Sequence, residues 1–232
     1  EWKHGICYKP QIKCSDCKSR QLLPITQEVL YSHLTGQKVI GIYPLLATDQ
    51  CRLLAVDFDK SDWKNCVTAF SEACLSLNIP FLVERSRSGN GAHVWIFFSE
   101  PIAAKQARLM GAGILDKAME LYPALDFESY DRMFPNQDHM PAGGFGNLIA
   151  LPLQKHARAL GNSTFIDSNF NAFTDPWTVL QQTELMSSSE VNNIVNELGY
   201  NFIEQNQTEV DHEAPWGKKI PKKNQKIAGC LD

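Results

Sequence analysis

The chain has 232 residues, of which 44% are hydrophobic and 21% are charged, and its formal net charge is -4 at pH 7. This length allows one large globular domain, or a domain with a small appendage. The negative charge argues against binding nucleic acid through bulk charge alone, although a local basic groove is compatible with it. No apolar run approaches the roughly 18 residues of a membrane span and no leader pattern opens the chain, so we expect a cytoplasmic protein. The chain begins at Glu1 rather than Met, which favours a piece of a longer protein.

The amino-terminal segment has the composition of a small metal-binding module. Three of the seven cysteines, Cys7, Cys14 and Cys17, lie in the first 17 residues, which indicates metal ligation rather than a disulfide framework. With His4 they form two tight pairs, His4-x2-Cys7 and Cys14-x2-Cys17, and four N/S ligands suit tetrahedral Zn²⁺. Residues 1–26 are too poor in large apolar side chains to build a core, so we predict that structural zinc stabilises them. Alternatively, His4 is a bystander and the fourth ligand lies elsewhere or is absent.

Strand and helix patterns alternate along the central part of the chain, residues 27–205. In chain order the patterns predict a helix at 28–34, strands at 38–46 and 51–59, an amphipathic helix at 62–78, and a hairpin of 81–86 and 92–98. They then predict a helix at 102–121, an acidic loop at 125–146, a strand at 147–153 and a helix at 187–199. Ser187 or Ser188 would cap the last helix. The basic residues 206–232 are predicted to be a tail or linker. These patterns predict an α+β or mixed α/β fold with helices on the back of a sheet.

Two aspartates end the otherwise apolar strand "RLLAVDFD". Because strand side chains alternate, Asp57 and Asp59 share one face and Phe58 points to the other. Two carboxylates at this spacing repel each other unless a cation lies between them, and Mg²⁺ or Mn²⁺ is typically bound by one or two carboxylates together with substrate phosphates. Alternatively, one aspartate caps the helix that starts near Asp62 and the other is exposed to solvent.

The hairpin connection "SRSGNGAH" could bind an anion. Its candidate residues are Arg85, Arg87, Ser88, Gly89, Gly91 and His93. The glycines let backbone amides approach an anion closely, the serine adds a hydroxyl donor and the arginines add charge. His93 opens the next strand and could contact a phosphate from the face that carries the aspartates. The alternative is an ordinary hairpin turn with one hydrogen-bonded histidine.

Two later segments add candidates. They are the carboxylates Asp126, Asp131 and Asp138 and the basic side chains Lys155, His156 and Arg158. One of the carboxylates would complete a cation site with the aspartate pair, although a solvated acidic loop explains them equally well. The basic side chains could hold a triphosphate or a template backbone, and a surface charge cluster is the alternative.

Taken together, these segments resemble the archaeo-eukaryotic primase superfamily, the primase-polymerases. That superfamily carries an aspartate pair at a strand end, a small-residue turn that ends in histidine, and a hydrophobic residue followed by aspartate. The matching segments here are "AVDFD", "SGNGAH" and "YD", in the same order. Further stretches, "GIYPLL", "ERSRSGNGAHVWIFF", "FPNQD" and "GGFGNLIALPLQ", resemble the primase domain of TOTE conflict systems, transposon-linked operons in which this domain accompanies a helicase. The match spans about residues 4–180.

The resemblance implies a fold and a metal site. The fold is an RRM-like catalytic half packed against a second αβ module, with the active site in the cleft between them. Asp57 and Asp59 would bind two catalytic Mg²⁺ or Mn²⁺ ions together with Asp131. Asp131 is preferred over the acidic residues that flank it because it follows Tyr130 and precedes "GGFGNLIALP" at a plausible distance.

The resemblance also implies an activity. His93 and Ser88 would contact the phosphates of the incoming NTP or dNTP. Further phosphates would be held by basic side chains such as Arg85, Arg87, Lys155 and Arg158. We therefore expect metal-dependent transfer of a nucleotidyl group to the 3′-hydroxyl of a primer on a single-stranded DNA template, with release of pyrophosphate. A helicase in the same chain or operon is a candidate partner. The alternatives are an inactive DNA-binding module of the same fold, or a metal-dependent nuclease or phosphatase.

Overall fold

The structure is a computed structural model that describes residues 3–6, 21–142 and 144–200, with the backbone alone described for 3–6 and 21–23. These residues lie in one compact unit and form a mixed α+β fold, as predicted. The strands are β1 (Lys3–Ile6), β2 (Gln21–Pro24), β3 (Gly41–Ile42), β4 (Gln50–Phe58), β5 (Leu82–Arg85), β6 (Ala92–Ala103), β7 (Tyr130–Phe134), β8 (Ile149–Ala150) and β9 (Thr164–Ile166). The helices are α1 (Gln27–Leu34), α2 (Trp63–Ser76), α3 (Ala104–Leu121), α4 (Lys155–Arg158), α5 (Pro176–Gln182) and α6 (Ser188–Glu197).

A five-stranded sheet in the order β7-β4-β6-β5-β9 forms the centre of the fold. All its neighbouring strands are antiparallel. Two antiparallel pairs, β1-β2 and β3-β8, form separate ladders. Strand β4 pairs with β6 on one side and with β7 on the other, and its residues Leu53 to Val56 are all buried. A continuous apolar run is expected where both faces of a strand are covered.

One face of this sheet, termed the helix face, packs against α2, α3 and α6. The buried side of α2 includes Cys66, Phe70 and Cys74, which recur at the three- to four-residue spacing of an amphipathic helix. The ring of Phe58 from β4 lies 5.5 Å from the ring of Phe70, centroid to centroid. Burial of one such side chain contributes about 1.5–3 kcal/mol, so this contact fixes α2 directly behind the end of β4.

The opposite face, termed the site face, carries Leu53 and Ala55 from β4 and Trp95 from β6. These side chains form a second core cluster with Ile42 of β3 and Ile149 of β8. Trp95 is 1% exposed and therefore belongs to the core. Every second residue of a strand points to the same face, so Asp57 follows Ala55 on the site face.

Helices α1, α2, α3 and α6 confirm the predicted helices, and α6 begins with a capping box between Ser187 and Glu190. Strand β7 lies in a segment that was predicted to be a loop. Its exposed charged residues, Asp131 and Arg132, interrupt the apolar alternation that marks a strand. The three-residue strand β9 and the short helices α4 and α5 gave no periodic signal, because they span too few residues. The predicted strands at 38–46 and 147–153 pair over two residues each.

Parts of the chain with sequence-based predictions lie outside the described residues. They include the predicted zinc ligands Cys7, Cys14 and Cys17 and the predicted tail at 206–232, and for His4 only its backbone in β1 is described. Among the residues that are described, none of the helices combines the length and apolar character needed to span a bilayer.

Candidate active site

The aspartate pair lies at the carboxyl end of β4. Asp57 is the second-last residue of the strand, and the backbone N–H of Asp59 donates a hydrogen bond to the carbonyl oxygen of Ser129 at 2.7 Å. Helix α2 begins at Trp63 and has Asp62 as its N-cap. Neither Asp57 nor Asp59 therefore caps this helix, so the alternative that one aspartate of the pair is a helix cap does not hold.

A row of charged side chains crosses the site face at Asp57. Asp57 lies directly opposite His93 of β6 on one side and Arg132 of β7 on the other, and His93 lies opposite Glu84 of β5. The Nε2 atom of His93 is 3.5 Å from Oδ1 of Asp57, and its Nδ1 atom is 2.9 Å from Oε2 of Glu84. The imidazole therefore lies between two carboxylates.

Glu84 is the functional candidate that the sequence reasoning missed. It is only 2% exposed, yet its carboxylate accepts hydrogen bonds from Trp95 Nε1 at 2.9 Å and from Ser163 Oγ at 3.4 Å, besides its contact with His93. A buried carboxylate needs such partners because burial removes its hydration. The available signal was a glutamate inside the apolar run "FLVERS", directly across the predicted hairpin from His93.

The charges in this row shift the pKa values of its members. Burial disfavours the charged form of His93, but the hydrogen bond and the charge of Glu84, together with the charge of Asp57, outweigh it and raise the pKa of His93. Burial also raises the pKa of Asp57, and the charges of Asp131 and Asp59 add to this rise against the opposing effect of His93. Asp57 is therefore a carboxylate whose ionised form needs further positive charge.

A β-bulge in β7 lies opposite the end of β4 and contains Asp131. Asp57 lies opposite Arg132 and Phe58 lies opposite Tyr130, so Asp131 is the extra residue of β7. A bulge changes the direction of side chains that would otherwise alternate, and the charges of both Asp131 and Arg132 act on Asp57. Asp131 also forms an ion pair with the Arg132 guanidinium.

The two other candidate carboxylates have partners elsewhere. Asp138 forms an ion pair with Arg108 of α3, and Asp126 accepts a hydrogen bond from the backbone N–H of Glu128 at 3.0 Å. Of the three candidates, Asp131 is thus the one whose charge acts on Asp57.

The chemistry of the aspartate pair fits a hard divalent cation. The Oδ1 atom of Asp59 is buried and has no hydrogen-bond partner, and a buried acceptor of this kind is costly unless a ligand binds it. Within the part of the chain that the structure describes, no group of three or more His, Cys, Asp and Glu side chains is arranged to hold a metal ion. Mg²⁺ commonly binds to one or two carboxylates and completes its shell with substrate phosphates, and Asp57 and Asp59 match that arrangement.

The glycine-containing loop between β5 and β6 packs against the aspartate pair. A Cβ atom on Gly91 would lie 2.5 Å from the carbonyl oxygen of Phe58 and 3.2 Å from the Cα atom of Asp59, so only glycine allows this approach. Inside the loop, Ser88 Oγ accepts from the N–H of Asn90 at 3.2 Å. The hydroxyl of Ser88 therefore shapes the turn in the present arrangement.

The predicted basic candidates lie in different environments. Arg85 follows Glu84 in β5 and lies on the helix face, where its Nη2 donates to the carbonyl oxygen of Phe170 at 2.6 Å. The structure therefore does not bring Arg85 to the row that contains Asp57. The Arg158 guanidinium lies 5.4 Å from the ring centroid of Trp177. The remaining three basic candidates are exposed: Arg87, Lys155 and His156.

A comparison with known families agrees with this geometry. A family model described as the archaeo-eukaryotic primase domain of the TOTE conflict system matches residues 1–194. The chain thus belongs to the archaeo-eukaryotic primase domains, a class that is generally associated with primase and nucleotidyl-transfer activity. Within that class it belongs to the TOTE conflict system family, which confirms the resemblance seen in its motifs. A search of the curated proteins finds no match.

Proposed function

We propose that this chain is a DNA primase-polymerase domain, which transfers a nucleotidyl group from an NTP or dNTP to a 3′-hydroxyl on a single-stranded DNA template and releases pyrophosphate. The observation that carries this proposal is the pairing of Asp57 with His93 at one register position of the central sheet, beside the unpartnered buried oxygen of Asp59. A carboxylate pair next to a cationic imidazole suits a substrate that brings both a metal ion and phosphates.

In this proposal Asp57 and Asp59 bind Mg²⁺ or Mn²⁺, and Asp131 contributes the third carboxylate. When bound, two such ions lower the pKa of the attacking hydroxyl and neutralise charge on the triphosphate. The protein supplies a rigid mount, because Leu53 to Val56 of β4 are buried and Gly91 packs against Asp59.

His93 would hold a phosphate of the incoming nucleotide. Its raised pKa favours the imidazolium form, and the hydrogen bond to Glu84 occupies Nδ1 while Nε2 faces Asp57. A phosphate oxygen that approaches the aspartate pair would then meet an N–H donor that carries positive charge. Such charge-assisted hydrogen bonds are about twice as strong as neutral ones.

Two further parts belong to the proposal, the first implied by the family resemblance and the second by the spacing of candidate ligands. One is an RRM-like catalytic half that packs against a second αβ module. The other is structural zinc at His4, Cys7, Cys14 and Cys17, two pairs of N/S ligands with spacing suited to tetrahedral coordination.

Primer synthesis and primer extension assays with Mg²⁺ or Mn²⁺ test the activity. We expect nucleotide incorporation by the wild-type chain and its loss in Asp57→Ala/Asp59→Ala. Asp62→Ala is a matched control, because it removes a carboxylate from the same connection between β4 and α2. The side chain of Asp62 makes no capping hydrogen bond to α2, so its loss should leave the helix intact. Among the candidates for the third carboxylate, Asp131→Ala should impair incorporation much more than Asp138→Ala.

The same assays separate the alternatives. If wild-type protein binds template but incorporates no nucleotide with either metal, the polymerase proposal is wrong and the DNA-binding module is favoured. Release of nucleotides from a labelled strand, lost in the double aspartate variant, would instead support a nuclease.

A further inference from the structure

Most basic side chains that the structure describes already have partners. They form ion pairs, donate to backbone carbonyl groups or lie over aromatic rings. Within residues 24–142 and 144–200, the basic side chains without a hydrogen bond, ion pair or ring contact are Lys38, Arg87, Lys155 and His156. All four are exposed to solvent.

Three of these four unpartnered side chains line one cavity. Lys38, Arg87 and His156 line an open cavity of about 380 Å³ together with Gln154, and Lys155 lies between Gln154 and His156 in the chain. We term this cavity the basic pocket. Its walls come from three segments that are distant in sequence: the residues before β3, the loop between β5 and β6, and the segment around α4.

Close contacts fix these three segments to one another. A Cβ atom on Gly36 would lie 2.6 Å from Nε2 of His156, and a Cβ atom on Gly89 would lie 2.8 Å from the side-chain oxygen of Asn162. The backbone N–H of Ser163 donates to the carbonyl oxygen of Ser86 at 3.4 Å. The basic pocket is therefore a consequence of packing between segments and not of one surface loop.

The charge of the basic pocket contrasts with the net charge of -4 on the whole chain. Like charges held together without counter-charges repel each other, and a local positive cluster on an acidic protein marks a binding site for a polyanion. The basic pocket also has apolar walls, because Val39 and Leu160 line it and are 47% and 78% exposed. Single-stranded nucleic acid presents both features, a charged backbone and the apolar faces of unpaired bases.

The basic pocket lies beside the aspartate pair along one loop. The loop between β5 and β6 carries Arg87, which lines the pocket, and Gly91, which packs against Asp59. Lys38 comes from a segment outside the central sheet. A strand bound in the basic pocket would thus run next to the aspartate pair.

We propose that the basic pocket binds the sugar-phosphate backbone of the single-stranded template, with Lys38, Arg87 and His156 as phosphate contacts. Lys38 is a candidate that only the structure reveals, because no sequence pattern pointed to it. The proposal rests on the proposed primase-polymerase function for its choice of ligand, but the binding itself is measured without synthesis.

The test compares the pocket variant Lys38→Gln with Lys64→Gln, which removes the same charge from α2 behind the helix face. The probe is a fluorescently labelled oligodeoxythymidine of about 15 nucleotides, followed by anisotropy at several salt concentrations. For a single strand each phosphate contact contributes about 0.7 to the slope of log K against log salt, so the pocket variant should lose about 0.7 from that slope. The control variant should keep the wild-type slope and affinity.

Two further measurements make the outcome specific. Binding of dTTP with Mn²⁺, followed by calorimetry, should be unchanged in the pocket variant, and Asp57→Ala/Asp59→Ala should retain oligonucleotide binding with the full slope. If the pocket variant matches the control in affinity and slope, the proposal is wrong. If it loses dTTP binding and retains the oligonucleotide, the basic pocket belongs to the nucleotide and the proposal is also wrong. Absence of synthesis by the wild-type protein would refute the proposed function but leave these binding results intact.

Discussion

Replacement of Glu84 by Gln tests whether the buried row on the site face is held by charge. The substitution preserves the size of the side chain and removes its negative charge. Glu84 accepts hydrogen bonds from His93, Trp95 and Ser163, and both Trp95 and Ser163 are 1% exposed. A glutamine offers one acceptor oxygen and one NH₂ donor where the carboxylate offers two acceptors, so the bonds to His93 and Trp95 lose their charge, and Ser163 must become an acceptor or lose its partner.

The expected cost follows from these contacts. A hydrogen bond to a charged group contributes about 1.5–3 kcal/mol against about 0.5–1.5 for a neutral one, and an unsatisfied buried donor costs about 1–3 kcal/mol. Glu84→Gln should therefore lower the free energy of unfolding by about 2–4 kcal/mol in total. In a chain of this size each kcal/mol shifts the melting temperature by about 2–4 °C, so a fall of about 4–16 °C is expected.

The loss should depend on pH because it includes the charge of His93. Burial opposes that charge, but Glu84 and Asp57 raise the pKa of His93 overall. A raised pKa means that the stabilisation is fully present below the pKa of an unfolded histidine, about 6.5, and is lost as the pH rises through the higher pKa of the folded state. The difference between wild type and Glu84→Gln should thus be largest near pH 6 and smaller at alkaline pH.

Urea denaturation followed by tryptophan fluorescence, repeated between about pH 6 and 9, measures this difference. Glu128→Gln is the control, because it removes the same charge from an exposed position. A Glu84→Gln variant as stable as the control, or a loss of stability that is the same at every pH, would refute the reasoning.

Three other substitutions give separate expectations. Asp57→Asn should abolish nucleotide incorporation and leave the free energy of unfolding at pH 7 equal or higher. The reason is that burial and neighbouring carboxylates raise the pKa of Asp57 and so disfavour its ionised form. A clear loss of stability in urea denaturation would contradict this. Gly91→Ala should lower the free energy of unfolding by about 1–3 kcal/mol in the same denaturation assay and slow primer extension, since the new Cβ would lie 2.5 Å from the Phe58 carbonyl oxygen. A variant with wild-type stability and rate would exclude this close packing. Cys14→Ser/Cys17→Ser should remove the bound zinc in elemental analysis, and an unchanged metal content would show that these cysteines are not ligands.

The local parts of the site were predictable from sequence. Alternation in β4 predicted the face of Asp57, and the glycine-containing hairpin predicted His93 beside it, because both follow from the two-residue period of a strand. The same rule explains why the structure does not bring Arg85 to the row. Arg85 is adjacent to Glu84, so once Glu84 faces His93, Arg85 must face the helices.

The remaining features depend on register and on contacts between distant segments. The β-bulge at Asp131 is a local irregularity, and the exposed charges of β7 conceal the strand that contains it. The basic pocket joins Lys38 to Arg87 and His156 across more than a hundred residues of sequence. No periodic pattern contains that information, since it arises only when the three segments pack.

The row across the site face explains how the chain tolerates carboxylates at the end of a buried strand. From β5 to β7 its members are Glu84, His93, Asp57 and Arg132, so acidic and basic groups alternate along one line. Each buried acid then has a basic neighbour, which lowers the cost of folding before any ion or nucleotide binds. The compensation at Asp57 is incomplete, because its pKa remains raised. In the proposed function this incomplete compensation would favour ion binding: a divalent ion at Asp57 would stabilise the ionised carboxylate, and His93 would then be available to donate to a phosphate.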